Sequence, residues 1–262
     1  MRAVVINLDR SPERLAMFRD QAERLGFAFD RLAAVDAHNC TQTRGRLTPG
    51  EIACFESHRK AWQLLVDSGE PWLAVFEDDA LLAPPIATLL ASDRWIPAQS
   101  DIVKLETFEA RVAIAAKGIS VEGVSLHRLQ TAHCGSAGYI LSRQCAIDLL
   151  RQTKNFTRPV DIVLFDHEHE VSRKLQILQM VPAVCIQERF IADRVQQLPR
   201  ADSLISRSEV APASPGQSGP LTKLKREGTR IMRQFSSPMR LSRLVRRALQ
   251  PSRHLVVPYI EA

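Results

Sequence analysis

The chain has 262 residues, of which 45% are hydrophobic and 24% charged, so it has enough apolar material for a globular core and is not a disordered segment. Its net charge of +6 comes from the C-terminus: residues 221–262 hold ten basic residues against two acidic ones, which leaves residues 1–220 at −2. The five cysteines form no C-x-x-C pair, which argues against a disulfide framework and a zinc knuckle. No apolar leader or membrane-spanning run is present, so we expect the protein to stay on the cytoplasmic side.

The N-terminal third of the chain predicts one strand followed by two helices. Ala3–Ile6 is a short β-branched run typical of a buried strand. Ser11 can cap the next helix, which carries an apolar stripe and ends at Gly26. Thr48–Glu51 has the spacing of a capping box, and it predicts a second helix that ends at Gly69.

The middle of the chain alternates apolar strands with a helix. Trp72–Phe76 is too short and too apolar for anything but an interior strand, and a helix capped by Ser142 is predicted through Leu150. Further strands are predicted at Ile102–Leu105, Val124–Leu129, Tyr139–Leu141 and Ala183–Ile186. This alternation is typical of an α/β fold with a mostly parallel central sheet, in which binding sites lie at the carboxyl ends of the strands.

The C-terminal region differs in composition from the rest. A segment rich in Ser, Pro, Gly and Ala is typical of a linker, so we divide the chain into a main domain (1–200), a linker (201–220) and a basic tail (221–262). Residues 221–250 have the spacing of basic amphipathic helices, which bind anionic membrane surfaces with about 1 kcal/mol per cationic residue. A solvated helix docked on the main domain is the plainer alternative. We expect no nucleic-acid partner, because Phe235 is the only aromatic residue of this stretch.

Three adjacent acidic residues, Glu77, Asp78 and Asp79, follow the predicted strand directly. Such neighbours repel one another unless a cation lies among them, and Mg²⁺ and Mn²⁺ prefer carboxylate oxygens. The alternative is an acidic turn that faces water. The strand in front of the triplet favours the metal, because it places the carboxylates at the edge of the sheet where sites occur.

A second candidate cluster, Asn7, Arg10 and Arg14, lies where the first strand gives way to its helix. Backbone N–H groups and guanidinium groups there could receive the phosphates or ribose of a nucleotide. Arginines on a helix surface are the alternative. The chain contains neither a G-x-G-x-x-G nor a G-x-x-x-x-G-K-[ST] motif, so a dinucleotide fold and a P-loop are not supported.

Several other polar residues have both a structural and a functional interpretation. His58, next to Ser57 in the second helix, is more commonly a buried structural histidine. The small residues of 133–139 could let the backbone approach a ligand, or simply permit a tight turn. Asp161 could serve as a general base or as a helix cap. We interpret His167 and His169 as solvated surface residues, and contact with a metal is the minor alternative.

These motifs, in this order, strongly resemble glycosyltransferase family 25, the lipopolysaccharide-biosynthesis galactosyltransferase family that also includes collagen galactosyltransferases. The resemblance rests on residues 5–10 with Arg14, residues 47–54 with Ser57 and His58, and residues 76–79. It continues through residues 138–142, 159–161 and 181–182 to Gln187, and so covers about residues 1–190. Any one motif is weak, but the ordered set is specific.

The resemblance implies a GT-A-like fold, a UDP-sugar donor (most often UDP-galactose), a divalent metal (Mn²⁺ or Mg²⁺) and inversion at the anomeric carbon. It implies a glycan or glycolipid acceptor, such as lipopolysaccharide or lipooligosaccharide. Matched to the family's motifs, Glu77, Asp78 and Asp79 are the metal ligands, with Asp79 the first choice for direct contact. The donor-binding residues are Asn7, Arg10, Arg14, Ser57, His58, Glu77 and Asp78. Asp161 is the candidate catalytic base, and Glu106 competes with it.

Two alternatives to a transferase stay open from the sequence. One is a protein that binds a sugar nucleotide without turnover, and the other is a metal-dependent phosphotransferase that uses the acidic triplet. For an enzyme that builds a lipid-linked glycan, the basic stretch 221–250 predicts peripheral attachment to the cytoplasmic face of the inner membrane.

Overall fold

The computed structural model of the chain describes residues 1–40, 44–191 and 251–260. The chain divides into two units, Met1–Ile205 with Arg253–Ala262, and Ser206–Ser252. Nearly all of the second unit lies outside the described residues. The same is true of the predicted linker and of the predicted amphipathic stretch 221–250.

In the described part of the chain, strands and helices follow one another through the first hundred residues, and a run of six strands then precedes the fourth helix. The strands are β1 (Arg2–Asn7), β2 (Asp30–Ala33), β3 (Trp72–Glu77), β4 (Ala80–Leu82), β5 (Ile102–Lys104), β6 (Glu106–Thr107), β7 (Arg111–Ala115), β8 (Ile119–Val121), β9 (Val124–Arg128), β10 (Gly138–Ser142), β11 (Ile177–Val181), β12 (Cys185–Gln187) and β13 (Ser252–Val256). The helices are α1 (Pro12–Leu25), α2 (Pro49–Ser68), α3 (Ile86–Ala91), α4 (Arg143–Gln152) and α5 (Val160–Phe165). Short 3₁₀ turns cover Ala37–Asn39, Ser172–Lys174 and Glu188–Phe190.

The termini of the two long helices follow local sequence signals. The capping box of α2 is confirmed, because the Thr48 hydroxyl accepts from the Glu51 N–H at 3.2 Å and the Glu51 carboxylate accepts from the Thr48 N–H at 2.8 Å. Gly26 and Gly69 end α1 and α2 in the left-handed conformation, with φ of +78° and +73°. Ser11 precedes α1 as predicted, but its side chain makes no capping bond, so that detail of the prediction is wrong.

The main sheet has eight strands in the described part of the chain, in the order β2-β1-β3-β10-β5-β11-β9-β8. Six of these strands run in one direction, and β9 and β10 run in the opposite direction. The parallel pairs are β1–β2, β1–β3 and β5–β11. The α/β class is confirmed, whereas the pairing is mixed rather than mostly parallel. The prediction failed because antiparallel neighbours need no crossover helix, as in the tight β8–β9 hairpin at Glu122-Gly123.

The sheet is buried on both faces, and side chains along each strand alternate between the two. In β3, Leu73 and Val75 pack with α2, α4 and α5, whereas Ala74 and Phe76 pack with α1 and α3. We call these faces the α2 side and the α1 side. The same alternation points Glu77, the last residue of β3, to the α2 side and the next residue, Asp78, to the α1 side.

The last described segment returns to the first unit as extended chain. β13 pairs with β7, the Thr107 hydroxyl donates to the Val257 carbonyl at 2.8 Å, and the Ala183 N–H donates to the Pro258 carbonyl at 2.8 Å. Residues 251–260 are therefore not helical, in contrast to the expectation for the tail. Among the described residues, none of the helices has the length and apolar character needed to cross a bilayer.

Candidate active site

The candidate site lies at the carboxyl ends of β1 and β3, which are parallel neighbours in the sheet. Asn7 is the last residue of β1, and Glu77 is the last residue of β3. Asp78 and Asp79 form the turn that leads into β4. The structure thus confirms that the asparagine and the acidic triplet each lie at the carboxyl end of a strand, and it shows that the two strands are neighbours.

On the α1 side, one guanidinium serves two carboxylates. Arg14 Nη2 lies 3.0 Å from Asp78 Oδ1 and 3.3 Å from Asp79 Oδ2. The Asn7 amide donates to Asp78 Oδ2 at 2.7 Å and to the Ser11 carbonyl at 2.9 Å. The side chains of Arg14, Asp78 and Asp79 are only 10%, 9% and 13% exposed, so these charges interact in a largely water-free environment.

Asp79 is also held by residues that lie more than 100 positions further along the chain. Gln187 Nε2 donates to Asp79 Oδ2 at 3.2 Å, and Arg189 in turn donates to Gln187 Oε1 at 2.7 Å. The Glu188 N–H donates to the Asp79 carbonyl at 3.0 Å. The short antiparallel pairing of β4 with β12 brings these two segments together.

The carboxylates of the α1 side carry more negative charge than their surroundings neutralise. Burial raises the pKa of Asp79 to about 7, with further contributions from the charges of Glu77 and Asp78, and Arg14 offsets only part of this. Burial likewise raises the pKa of Asp78, although Arg14 and the amide of Asn7 act in the opposite direction.

Glu77 faces the α2 side and has different neighbours. Glu77 Oε1 accepts from the Ser136 hydroxyl at 2.7 Å and lies 3.3 Å from His58 Nε2. His58 Nδ1 lies 2.9 Å from the Tyr139 hydroxyl, which also accepts from the Trp62 indole at 2.9 Å. Burial raises the pKa of Glu77, but the bonds from His58 and Ser136 outweigh burial, so the net shift is downward.

Two sets of residues in this region could hold a cation. The first is the carboxylate pair Asp78 and Asp79. The second is Cys54, His58 and Glu77, which offer a sulfur, a nitrogen and an oxygen within 4.8 Å of one another. Among the residues that the structure describes, no other group of three His, Cys, Asp or Glu side chains lies this close together. His167 and His169 therefore belong to no such group.

Glu106, one of the two candidate bases, is inaccessible to solvent. Its carboxylate pairs with Lys104 Nζ at 3.0 Å, and both side chains are 0% exposed. Lys104 also donates to the Gly135 carbonyl at 2.6 Å, and the Ala137 N–H donates to Glu106 Oε2 at 3.1 Å. Burial raises the pKa of Glu106, and the Lys104 ammonium offsets part of that rise.

The loop of residues 133–138 connects three carboxylates. Ser136 bonds to Glu77, Ala137 bonds to Glu106, and the Gly135 N–H donates to Asp161 Oδ2 at 3.3 Å. Gly135 has φ +97°, and an added Cβ there would lie 2.7 Å from Glu106, so only glycine fits. The tight turn expected from its small residues therefore also orients acidic side chains.

Asp161 lies on the first turn of α5 and is partly exposed, unlike Glu106. Its Oδ1 accepts from the adjacent Ile162 N–H at 2.9 Å. Asp161 is therefore not the helix cap, because Pro159 holds that position and no side chain caps α5, whereas its carboxylate reaches solvent, as a base requires.

Two predicted donor-binding residues have their contacts elsewhere. The Ser57 hydroxyl donates to the Ala53 carbonyl at 2.7 Å and accepts from the Val35 N–H at 2.8 Å, so it ties the chain after β2 to α2. Arg10 pairs with Asp36 and contacts His38 Nδ1 at 2.6 Å, at the rim of the site.

The sequence reasoning missed three contributors to the site. Gln187 carries no local signal, because its role depends on a strand pairing more than 100 residues away. Lys104 had one: a lysine two residues before a glutamate, inside an apolar strand, indicates a buried pair on one face. Tyr139 was taken only as a strand residue, yet its hydroxyl connects His58 to Trp62.

A cavity of about 290 Å³ opens beside the acidic turn on the α1 side. It is lined by Arg14, Met17, Phe18, Asp20, Gln21, Arg24, Asp78, Asp79, Ala80, Leu81 and Glu188. The two carboxylates and the shared guanidinium therefore face a space that can admit a small ligand.

Comparison with known proteins identifies relatives of the chain. The family profile of glycosyltransferase family 25 (LPS biosynthesis protein) matches residues 1–164. A lacto-N-neotetraose biosynthesis glycosyltransferase, LgtE of Neisseria gonorrhoeae, is 32% identical over 214 residues, covering 74% of this chain and 76% of LgtE. LgtB of Neisseria meningitidis serogroup B, of the same description, is 30% identical over 256 residues, covering 85% and 93%. A solved glycosyltransferase involved in glycosylation of the PBCV-1 major capsid overlays with a TM-score of 0.42 at 8% identity, covering 71% of this chain and 92% of that one.

Proposed function

The chain belongs to glycosyltransferase family 25, and we propose that it transfers a hexose, galactose from UDP-galactose, to a lipopolysaccharide, lipooligosaccharide or other surface-glycan acceptor. The proposed reaction is a metal-dependent single displacement with inversion at the anomeric carbon, on a GT-A-like fold. The description of LgtE and LgtB as lacto-N-neotetraose biosynthesis glycosyltransferases supports an acceptor of the glycan class.

The observation that carries this proposal is the carboxylate pair on the α1 side. Asp78 and Asp79 share the single guanidinium of Arg14 in a nearly buried position, and burial together with the charges of Glu77 and Asp78 raises the pKa of Asp79 to about 7. A cation at this place would restore the balance. Oxygen donors suit Mn²⁺ and Mg²⁺, which usually take one or two protein carboxylates and complete their coordination with phosphate oxygens.

The chain holds these carboxylates in place before a donor binds. When present, the cation would neutralise the charge that develops on the UDP leaving group. The side-chain amide of Asn7 donates to Asp78, and that of Gln187 donates to Asp79, so both carboxylates are fixed in orientation. Such fixed orientation lowers the reorganisation needed at the moment of reaction.

Asp161 is the base that we propose for the acceptor hydroxyl. Its carboxylate is partly exposed, whereas Glu106 is fully buried against Lys104. Asp161 would accept the hydroxyl proton as the acceptor oxygen attacks the anomeric carbon from the face opposite UDP. Glu106 would act as a positioning residue, because its carboxylate bonds to the same loop that contacts Asp161.

The two carboxylates can be separated by their effect on kcat. Asp161→Asn should lower kcat by about 10²-fold to 10⁴-fold, because no group then takes the proton. Glu106→Gln should lower kcat less, since it acts only through displacement of the loop. A kcat of Asp161→Asn within about 10-fold of that of the unmodified protein would assign the base elsewhere.

The basic stretch 221–250 lies outside the described residues, and membrane attachment through it stays a proposal. The variants used in the test should retain residues 251–260, since Arg253–Ala262 are part of the first unit and β13 pairs with β7. Replacing Arg243, Arg246 and Arg247 with Gln should weaken cosedimentation with anionic vesicles, by about 1 kcal/mol per charge removed. Unchanged cosedimentation would refute the membrane role and, with it, the peripheral location on the cytoplasmic face of the inner membrane.

The defining experiment measures transfer by the full chain across a panel of UDP-sugars with Mn²⁺, Mg²⁺ or EDTA and a galactose-accepting oligosaccharide. Metal-dependent release of UDP from UDP-galactose, with a glycosylated product of β-configuration from the α-linked donor, is the expected result. Binding of UDP without release or product would favour a protein that binds sugar nucleotides without turnover. Release of inorganic phosphate without sugar transfer would favour a phosphotransferase.

A further inference from the structure

Three side chains on the α2 side bring a sulfur, a nitrogen and an oxygen to one point. Cys54 and His58 are four residues apart on α2, so both project from the same face of the helix. Glu77 ends β3 opposite that face. One potential ligand atom of each residue lies within 4.8 Å of the other two.

His58 is oriented as a metal-binding histidine usually is. Its Nε2 faces Glu77 Oε1 at 3.3 Å, and its Nδ1 lies 2.9 Å from the Tyr139 hydroxyl. A ligating histidine is commonly fixed by a hydrogen bond from its other ring nitrogen, and a hydroxyl has two lone pairs with which to accept. Trp62 takes one lone pair of Tyr139, and the Nδ1–H of His58 can take the other.

In that tautomer, the lone pair of His58 Nε2 points at a carboxylate oxygen. In the metal-free protein the other tautomer places the proton on Nε2, which then donates to Glu77 Oε1, and a divalent cation would displace that proton. The carboxylates of Glu77, Asp161 and Asp79 lie near the Cys54 thiol and make its surroundings negatively charged. A divalent cation would displace the thiol proton and compensate this charge.

The donor geometry is close to that of a zinc site. Zn–S and Zn–N bonds of about 2.3 Å and 2.0 Å place tetrahedral ligand atoms about 3.5 Å apart. His58 Nε2 and Glu77 Oε1 already lie 3.3 Å apart, and the sulfur of Cys54 lies within 4.8 Å of a ligand atom of each residue. The carboxylate of Glu77 is 23% exposed, which gives an ion access from solvent, whereas the His58 side chain is 1% exposed. Three protein ligands leave a fourth position for water or a substrate oxygen.

We propose that Cys54, His58 and Glu77 form a binding site for a borderline-soft divalent cation of the Zn²⁺ class. This site is separate from the carboxylate pair proposed for Mn²⁺ or Mg²⁺, because a thiolate and an imidazole favour softer ions than carboxylates do. It places Glu77 in a different ligand set from the one implied by the family resemblance. The site does not depend on the proposed transferase activity.

The test is a titration of the metal-free full chain with Co²⁺, a spectroscopic substitute for Zn²⁺, followed by absorption. Binding at one equivalent should give a near-ultraviolet thiolate-to-cobalt charge-transfer band, and Zn²⁺ but not Mn²⁺ should abolish it. Cys54→Ser should lose the band, and Cys40→Ser, at another partly buried cysteine, should keep it. Glu77→Gln should keep the band with affinity lowered about 10-fold or more.

A measurement on the unmodified protein guards against a Cys54→Ser variant that fails to fold. A short pulse of N-ethylmaleimide, with each cysteine quantified by peptide mass spectrometry, should show that Zn²⁺ protects Cys54 and leaves Cys40 unaffected. Asp79→Asn should leave both the cobalt band and this protection intact, which separates the two metal sites. The absence of a band in the wild-type chain, or equal labelling of Cys54 with and without Zn²⁺, would overturn the proposal.

Discussion

The two sides of the acidic segment differ in how their charge is balanced. On the α2 side, Glu77 receives bonds from Ser136 and His58, and its pKa is lowered despite burial. On the α1 side, Asp78 and Asp79 share one guanidinium, and the pKa of Asp79 rises to about 7. Three adjacent carboxylates therefore have opposite pKa shifts within one short segment.

This difference shows that hydrogen-bond donors and cations, rather than residue type, decide which carboxylate needs an additional cation. Period-two alternation sends Glu77 toward the donors of α2 and the 133–138 loop, and sends Asp78 toward Arg14. On the α1 side, two carboxylates share one guanidinium, and the proposed oxygen-binding metal would compensate the remaining negative charge. The α2 side has a thiol and an imidazole beside its carboxylate, and so favours a softer ion.

The largest expected effect follows from removing a charge on the α1 side. Asp79→Asn should lower kcat for sugar transfer by about 10³-fold or more and remove the dependence on Mn²⁺, because the proposed cation loses its principal ligand. The matched control is Asp67→Asn, an exposed aspartate that bonds to Gln63 at the end of α2. Steady-state kinetics with EDTA and added Mn²⁺ measure the effect, and undiminished turnover would refute the proposed metal role.

Arg14→Met should destabilise the protein strongly. It leaves Asp78 and Asp79 buried without a cation, which costs about 3–5 kcal/mol of unfolding free energy when one partner of a buried pair is removed. Millimolar Mn²⁺ should restore part of the loss. Arg10→Met is the control, since Arg10 pairs with Asp36 at the exposed rim and should change stability far less. Urea unfolding measures both variants, and equal stability would contradict the described charge balance.

His133 should make the loop of the α2 side sensitive to acid. Burial lowers the pKa of His133 to about 3, whereas an unfolded histidine titrates near 6.5. Below pH 6.5 the unfolded chain binds a proton that the folded chain does not, so this residue lowers stability by about 2 kcal/mol between pH 7 and pH 5. In His133→Asn, whose amide can still donate to Gln179, that part of the pH dependence should vanish. Urea unfolding at both pH values provides the comparison, and an identical pH dependence in the two proteins would count against it.

A further comparison concerns a single hydrogen bond of the α2 side. Ser136→Ala removes the 2.7 Å bond to the Glu77 carboxylate and should cost about 1.5–3 kcal/mol, the range for a bond to a charged group. Ser125→Ala removes a 2.9 Å bond to the neutral Val181 carbonyl and should cost about 1 kcal/mol. If the two variants lose equal stability, Glu77 does not depend on Ser136 in the way described.

Much of the fold was accessible from local sequence signals. The capping box at Thr48, the glycines that end α1 and α2, and the apolar run of β3 each act over a few residues, and all were predicted. The positions of Asn7 and the acidic turn at the carboxyl ends of their strands were also predicted, whereas the pairing of those two strands came from the structure. The mixed sheet pairing was missed, since strand order depends on contacts far apart along the chain.

The sequence by itself determined the capped helices α2 and α4, the apolar strands such as β1 and β3, the acidic turn and the order of the motifs, because turn chemistry, capping and hydrophobic periodicity are local properties. It did not predict the strands β2, β4, β7, β8 and β11 or the short helix α3. Only the tertiary structure decided the roles of individual side chains. It buried Glu106 against Lys104, brought Gln187 to Asp79, and turned Glu77 away from its neighbours toward His58. These outcomes depend on which residues of distant segments lie on the same face of the sheet. Such neighbours, far apart along the chain, decide the charge balance of a buried site.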